Sequence, residues 1–137
     1  MEKLFLLALI VACMPWNSVN AQESNEVQAP ATLFAYPVAP DTIKTFENRV
    51  NYIVDNFWGN YDLSKPIADL NAFNGAFRDY LGFLRYCHRT VAISSVRDFL
   101  FKAQTNKANF EKIAMLAEMG LYNVGAEYWS DEISTEF

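Results

Sequence analysis

Two carboxylates on either side of an aromatic cluster are the first candidates for acid–base chemistry. Asp55 and Asp62 flank Phe57, Trp58 and Tyr61. A carboxylate beside a tryptophan ring can bind a sugar or act as a general acid. A structural interpretation fits equally: the rings pack the end of a helix, and Asp62 caps the connector that follows. The candidate binding residues of this cluster are Trp58, Asn60, Tyr61 and Asp62.

Three arginines, Arg78, Arg85 and Arg89, follow at seven- and four-residue steps. On one helix this spacing places them on a single side and forms a basic ridge. Their guanidinium groups could grip a phosphate or a carboxylate. A solvated charged face is the alternative. Since the chain is otherwise acidic, the ridge also suits an acidic face of a partner.

Cys87 stands beside His88, the chain's only histidine, and this pair suggests nucleophilic catalysis. Adjacent helical residues point about 100° apart, so the two side chains do not hydrogen-bond readily. We expect Cys87 to pack as a small hydrophobic residue and His88 to cap the C-terminus of a helix.

Other catalytic patterns are missing from the sequence. It has no CxxC pair, no GxSxG elbow and no glycine-rich phosphate loop. One histidine, with the adjacent Asp131 and Glu132, cannot complete a metal site. We therefore expect no enzymatic activity, no cofactor and no metal.

Length and composition restrict the class of protein. The chain has 137 residues, a formal net charge of −5 and 52% hydrophobic residues. This length suits one domain. The acidic balance argues against a nucleic-acid binder, and the apolar content is too high for a disordered chain.

The first 21 residues predict a signal peptide. The apolar run Leu4–Met14 is too short to span a bilayer, which needs roughly 20 residues. The small-x-small pattern that ends at Ala21 predicts cleavage after that residue. The stretch Ile10–Cys13 resembles a bacterial lipobox, so lipidation of Cys13 is the alternative. Residues 22–32 are polar and predict a flexible leader before a domain over 33–137.

Four stretches after Asp41 repeat apolar residues every three or four positions and predict four helices. The first helix is predicted to begin at a cap at Asp41 or Thr42 and to stop at Gly59, and the second is predicted to begin near Asn71. The third is predicted to begin at a cap at Thr90. The fourth is predicted to follow a turn at 105–107 and to stop at Gly120. The predicted buried stripes are Ile43, Phe46, Val50, Ile53 and Phe57; Phe73, Ala76, Phe77, Tyr80, Leu81, Leu84 and Cys87; Ile93, Val96, Phe99, Leu100 and Ala103; and Phe110, Ile113, Ala114 and Ala117. Gly75 and Gly82, seven apart, either admit a close neighbouring helix or weaken their own.

The two ends of the domain differ from this pattern. Prolines at 37 and 40 exclude a helix over 33–40, which we predict to be extended, with Phe34 and Tyr36 buried. Residues 130–132 predict the start of a fifth helix in a frayed or truncated end. No stretch alternates like a strand. We predict an all-α fold, a small bundle of about four to five antiparallel helices preceded by an extended N-terminal segment.

The order of these motifs resembles a known family, over about residues 33–132. The family is the uncharacterised helical domain found N-terminal to thioredoxin-like domains in exported proteins of Gram-negative (Bacteroidetes-type) bacteria. The residues that carry the resemblance are Phe34-Ala35-Tyr36-Pro37 with Pro40, Arg49-Val50-Asn51-Tyr52-Ile53-Val54, Asn56-Phe57-Trp58-Gly59-Asn60-Tyr61-Asp62, Leu121-Tyr122 and Ser130-Asp131-Glu132. The resemblance implies an all-helical module outside the inner membrane, followed by a thioredoxin-like domain with a CxxC site. This sequence contains neither that domain nor a CxxC pair.

The leading hypothesis is a non-catalytic accessory or recognition module of an exported thiol-redox protein. Its partner would be a thioredoxin-like domain or another envelope protein, in the periplasm or cell envelope, with membrane contact only through a lipidated Cys13. The alternative is a small envelope protein that binds carbohydrate or lipid on an aromatic platform of Trp58, Tyr61 and Trp129. An enzyme built on Asp55 and Asp62 is a third hypothesis. The last hypothesis is that the chain is a gene fragment whose fourth helix has an uncovered apolar surface.

Overall fold

The computed structural model describes residues 32–122, 128 and 131–137. The predicted signal peptide (1–21), the leader up to residue 31, and Trp129 lie outside the described residues. The helices are α1 (Phe46–Asn56), α2 (Leu70–Leu84), α3 (Arg89–Ala103), α4 (Lys107–Ala117) and the short α5 (Asp131–Ser134). A 3₁₀ turn (Phe57–Asn60) follows α1, and a π turn (Glu118–Tyr122) follows α4. The described part contains no β-strand, which confirms the all-helical prediction.

Three helices begin at side-chain caps. The side chains of Thr45, Asp69 and Asn106 each accept a hydrogen bond from the backbone N–H three residues further on, at 3.3, 2.9 and 3.2 Å. Such caps satisfy donors that the first helical turn leaves without partners. The predicted cap at Asp41 or Thr42 is therefore wrong: those residues form a turn, in which the N–H of Ile43 donates to Pro40.

The ends of the predicted helices are less accurate than their cores. Gly59 and Gly120 do not stop α1 and α4 in the left-handed conformation. They lie inside the 3₁₀ turn and the π turn, because the chain at each helix end rewinds into a tighter or wider turn. The helix α3 begins one residue before the predicted cap at Thr90, with His88 as its N-cap residue.

The predicted buried stripe of α2 is confirmed almost completely. Six of its seven residues are buried, and Cys87, beyond the helix, is half-buried. Two predictions on other helices are wrong. Phe46 is 70% exposed because it is the first residue of α1. Ala114 is exposed on α4, where Leu116 and the polar Asn109 are buried instead.

Aromatic rings form the centre of the core. The Trp58 indole stacks against Phe73 and Phe99, with ring centroids 5.3 and 4.7 Å apart. The predicted non-helical segment over 33–40 crosses this core, since Phe34 and Tyr36 contact Phe57 at 5.7 and 4.8 Å. The other large side chains of the centre are Phe57, Phe77, Tyr80 and Leu81.

Polar contacts join helices that are distant in sequence. The hydroxyl of Ser95 on α3 donates to the carbonyl of Val54 on α1 at 2.9 Å and also contacts the hydroxyl of Tyr80 on α2 at 2.9 Å. Because the single Ser95 proton goes to Val54, Tyr80 donates to Ser95. The first three helices therefore meet at one buried serine. No helix in the described ranges combines the length and apolar character needed to cross a bilayer.

Candidate functional site

Trp58 belongs to the core and is not a surface platform. Only 5% of the residue is exposed. Its ring lies between the rings of Phe73 and Phe99. The indole Nε1 is buried and has no hydrogen-bond partner among the described residues. Trp58 borders a concavity of about 300 Å³ with Tyr61 and Asp62. The small exposed fraction of Trp58 offers a sugar or lipid little ring surface, so the aromatic platform loses its central residue.

Asn60 and Tyr61, which follow Trp58, make local contacts that stabilise the fold. The side-chain amide of Asn60 donates to the carbonyl of Ala35 at 3.2 Å and fastens the N-terminal segment. Tyr61 packs between Phe34 and Phe73 at 5.7 and 5.6 Å, and burial raises the pKa of its phenol. These contacts favour the structural interpretation of the cluster.

Asp62 closes a turn and stays ionised. Its carboxylate accepts from the Ser64 hydroxyl at 2.6 Å and from the Ser64 N–H at 3.1 Å, and it pairs with Lys65 at 3.3 Å. The hydrogen bonds from Ser64, followed by the contact with Lys65, lower its pKa. A general acid needs the opposite shift. Asp55 is exposed on α1.

The predicted arginine ridge is divided between two helices. Arg78 lies on α2, Arg85 is the C-cap residue of α2, and Arg89 is the first residue of α3. The ridge on a single helix is therefore wrong, because α2 ends at Leu84. Arg85 and Arg89 instead border a cavity of about 170 Å³ beside Cys87, while Arg78 borders two other concavities.

Cys87 and His88 contact different partners and do not form a catalytic pair. The Cys87 thiol is half-buried and donates to the carbonyl of Leu84 at 3.4 Å, and burial raises its pKa. The imidazole of His88 lies 2.9 Å from the carboxylate of Glu47, and the His88 backbone N–H donates to Asn51 at 2.8 Å. The prediction that His88 caps a helix C-terminus is wrong, since His88 precedes α3 and fastens that junction to α1.

The largest concavity that we describe is a groove between α1 and α2, with a volume of about 530 Å³. Aromatic and aliphatic side chains line most of it. The aromatic rings Phe46 and Tyr86, 70% and 61% exposed, lie at one end in an edge contact of 6.4 Å. We call this site the α1–α2 groove, and its lining is Tyr36, Phe46, Val50, Arg78, Asp79, Gly82, Phe83, Tyr86 and Tyr128.

One polar pair organises a wall of the α1–α2 groove. The hydroxyl of Tyr36 donates to Oδ2 of Asp79 at 2.7 Å. Burial, then this hydrogen bond and the charge of Asp79, raise the pKa of Tyr36. The phenol therefore stays protonated and donates to the carboxylate at neutral pH. The pair joins the N-terminal segment to α2 across 43 positions of sequence.

Sequence reasoning missed the α1–α2 groove. Phe46 fits the apolar period of α1, and this hid its exposure. Tyr86 follows the end of α2 and belongs to no stripe. Nothing in a one-dimensional pattern shows that these two rings, 40 positions apart, share an edge. Among the residues placed by the structure, no three His, Cys, Asp or Glu side chains are grouped to hold a metal ion.

Gly82, which lines the groove, has an aromatic ring beside it and not a helix. Among the residues that the structure describes, a Cβ added there would meet only the Tyr128 ring, at 3.7 Å, and a Cβ at Gly75 would meet nothing within 4 Å. The two glycines therefore do not admit a close helix from the described part of the chain.

Comparisons with known proteins show a family for this chain and a solved structure with a similar fold. A family model described as "Domain of unknown function (DUF5106)" matches residues 12–133. None of the curated proteins matches the chain. The 1.90 Å crystal structure of a thioredoxin-like protein from Bacteroides caccae ATCC 43185 is similar, with a TM-score of 0.71 and 21% sequence identity. The similarity covers 77% of this chain and 39% of that one, so it shows a shared fold over about two fifths of the longer protein.

Proposed function

Starting from the fact that the chain belongs to the DUF5106 family, we propose that it is a non-catalytic, all-helical accessory module of a thiol-redox (thioredoxin-like) protein. Its role is to recognise a substrate or partner polypeptide. The observation that carries this proposal is the fold shared with two fifths of a thioredoxin-like protein. In the proposed arrangement the module precedes the redox domain, in bacteria of the Bacteroidetes type.

The chemistry of the described side chains supports a role without catalysis. Thiol–disulfide exchange needs a thiolate. Burial raises the pKa of Cys87, which keeps the thiol protonated, and its proton is donated to a backbone carbonyl. The lowered pKa of Asp62 argues against a general acid at the other predicted site, and the core position of Trp58 leaves little ring surface there for a sugar.

The α1–α2 groove supports recognition. Its volume lies within the range of ligand pockets, and exposed aromatic rings at its edge are of the type enriched in protein interfaces. Two large exposed rings in one contact form an apolar surface that a partner side chain can cover. We therefore place the recognition surface on this groove, in place of the predicted Trp58 cluster.

Export to the periplasm or cell envelope is part of the proposal. It depends on the apolar run and the cleavage pattern that ends at Ala21. The family match starts at residue 12, inside the predicted signal peptide. Mass spectrometry of the protein's N-terminus distinguishes the two processing routes: a start at Gln22 supports cleavage after Ala21, and a lipid on Cys13 replaces that cleavage by lipidation.

A turnover assay tests the absence of catalysis. Residues 22–137, at micromolar concentration with dithiothreitol, should not accelerate the reduction of insulin disulfides beyond dithiothreitol alone. The matched variant Cys87→Ser should give the same trace. Reduction that the wild type accelerates and Cys87→Ser does not would overturn the non-catalytic assignment.

A binding assay tests recognition. Ribonuclease A, reduced and then blocked with iodoacetamide, supplies an unfolded polypeptide with neutral cysteine adducts. Fluorescence anisotropy should show saturable binding of this labelled chain to residues 22–137 and much weaker binding of native ribonuclease A. Equal traces for the two forms, or no binding of the unfolded one, would contradict the recognition role.

A further inference from the structure

We propose that the α1–α2 groove binds a lysine or arginine side chain of a partner polypeptide. The aliphatic stem of that side chain packs on the aromatic walls, and its cationic end meets the carboxylate of Asp79. This inference rests on the proposed recognition function and specifies its chemistry.

The walls of the groove suit a cation on an apolar stem. Five aromatic residues line it: Tyr36, Phe46, Phe83, Tyr86 and Tyr128. The faces of such rings attract ammonium and guanidinium groups through the ring quadrupole. They also cover the methylene stems of lysine and arginine, which bury their carbons while the charged end stays polar. A purely aliphatic partner would use only part of this surface.

Asp79 supplies the charge. One of its oxygens, Oδ2, accepts from the Tyr36 hydroxyl. Within the described ranges no lysine, arginine or histidine nitrogen lies within ion-pair distance of this carboxylate, and Oδ1 has no donor. The hydrogen bond from Tyr36 holds the carboxylate against the groove wall. A cation on the partner would complete the pairing that this side of the groove lacks.

Arg78 also lines the groove, but it borders a second concavity as well. Successive helical residues point about 100° apart, so Arg78 and Asp79 leave α2 in different directions. Arg78 shares the neighbouring concavity with Asn74 and Met119. The guanidinium is thus shared with a neighbouring concavity, whereas the Asp79 carboxylate borders the groove alone among the concavities described.

The charge of the whole chain favours the same partner. Its formal net charge is −5, and removal of residues 1–21 deletes one acid, Glu2, and one base, Lys3, which leaves that charge unchanged. A basic segment is attracted to such a chain, whereas an acidic one is repelled. The Asp79 carboxylate would likewise repel an anionic membrane surface. The open groove of about 530 Å³ is larger than a single ammonium needs, so flanking residues of a polypeptide have room.

Three acetylated, amidated peptides that differ at one position test the proposal. They are Ala-Leu-X-Leu-Ala with X as lysine, norleucine or glutamate, each with a fluorescent label attached through its C-terminal amide. Norleucine keeps the stem and removes the charge. Anisotropy titrations with residues 22–137 should rank lysine above norleucine and norleucine above glutamate, with about five- to tenfold between lysine and norleucine. Equal affinities for the three peptides would overturn the proposal.

Two variants locate the site. Asp79→Asn keeps an oxygen that can accept from Tyr36 and removes the charge, so it should abolish the preference for lysine over norleucine and preserve the thermal unfolding midpoint. Asp55→Asn, an exposed carboxylate on α1, is the matched control and should keep the preference. If the preference for lysine over norleucine is as large in Asp79→Asn as in Asp55→Asn, the assignment of the cation site to Asp79 is wrong.

Two further arms define the partner. Tyr86→Ala changes an exposed ring, so the fold should survive, and binding of all three peptides should weaken. If Nα-acetyl-lysine methylamide competes as tightly as the pentapeptide, the ligand is a small amine and the polypeptide assignment fails. The proposed recognition role is judged separately: unfolded ribonuclease A that still binds Asp79→Asn at wild-type affinity rejects this site and leaves that role standing.

Discussion

The side-chain amide of Asn109 on α4 donates to the backbone carbonyl of Leu63 at 2.7 Å, across 46 positions of sequence. The same amide donates to the carbonyl of Lys65 at 2.7 Å, and its oxygen accepts from the N–H of Ile67 at 2.9 Å. Asn109 is completely buried. One polar side chain thus gives the connector between the 3₁₀ turn and α2 the hydrogen bonds that its backbone would otherwise lack.

Replacing Asn109 should therefore be among the most damaging single changes in the chain. Asn109→Ala leaves two carbonyls and one N–H of the connector without their partner, and each unsatisfied buried group costs about 1–3 kcal/mol. We expect a loss of at least about 3 kcal/mol in the free energy of unfolding, measured by urea titration. Asn71→Ala, an exposed position on α2, is the control and should change stability little. A loss below about 0.5 kcal/mol at Asn109 would contradict the role of this amide.

The Ser95 hydroxyl should stabilise the first three helices through one hydrogen-bond network. Ser95→Ala removes the donor to Val54 and the acceptor for Tyr80, so we expect a loss of about 1–3 kcal/mol. Tyr80→Phe should cost less, because Ser95 keeps its bond to Val54. In the double variant the cost should fall short of the sum of the two single costs, since both act on one network.

The exposed neighbour Ser94 supplies the control for this cycle. Ser94→Ala should leave the urea midpoint within experimental error of the wild type. Strict additivity of Ser95→Ala and Tyr80→Phe would show that the two hydroxyl groups do not share a network.

Trp58 should fluoresce as a buried indole. In residues 22–137, Trp129→Phe leaves Trp58 as the only tryptophan. Because the ring is stacked inside the core, its emission should be shifted to the blue and iodide should barely quench it. N-acetyl-tryptophanamide in the same buffer supplies the exposed reference. Quenching of Trp58 close to that reference would revive the aromatic platform and remove Trp58 from the core.

The stability of the fold should fall at alkaline pH through Tyr80. Burial raises the pKa of this phenol in the folded chain above its ordinary value near 10. Below about pH 10 the phenol is protonated in both states. Above it, the unfolded chain loses the proton and the folded chain keeps it, so the free energy of unfolding decreases by about 1.4 kcal/mol per pH unit.

Urea titrations between pH 8 and pH 11.5 test this sign. Tyr80→Phe should reduce the slope above pH 10 by about that amount, because phenylalanine does not titrate. Tyr86→Phe, at an exposed position, is the matched control. An unchanged slope in Tyr80→Phe would mean that the Tyr80 phenol ionises equally in both states.

Much of the fold could be predicted along single helices. The stripe of α2 needs only the 3.6-residue period, and the structure buries six of its seven residues. Helix ends were harder, because Asp41, Thr42 and Thr45 are all acceptable cap types and their choice depends on the hydrogen bonds of the flanking turn. The candidate site was harder still. The sequence pattern around a tryptophan is the same whether the ring lies in a core or on an exposed platform. Only the packing of Trp58 between two rings shows that it lies in the core.

The sequence by itself determined the all-helical class, the approximate place of each long helix and the lack of a CxxC pair. Those features are local, since each depends on residues within a few positions of one another. The tertiary structure alone decided that Trp58 is buried, that Asn109 holds a connector, and that Phe46, Asp79 and Tyr86 border one groove. These features depend on contacts between distant segments, and burial and charge pairing arise only when packing brings such segments within a few ångströms.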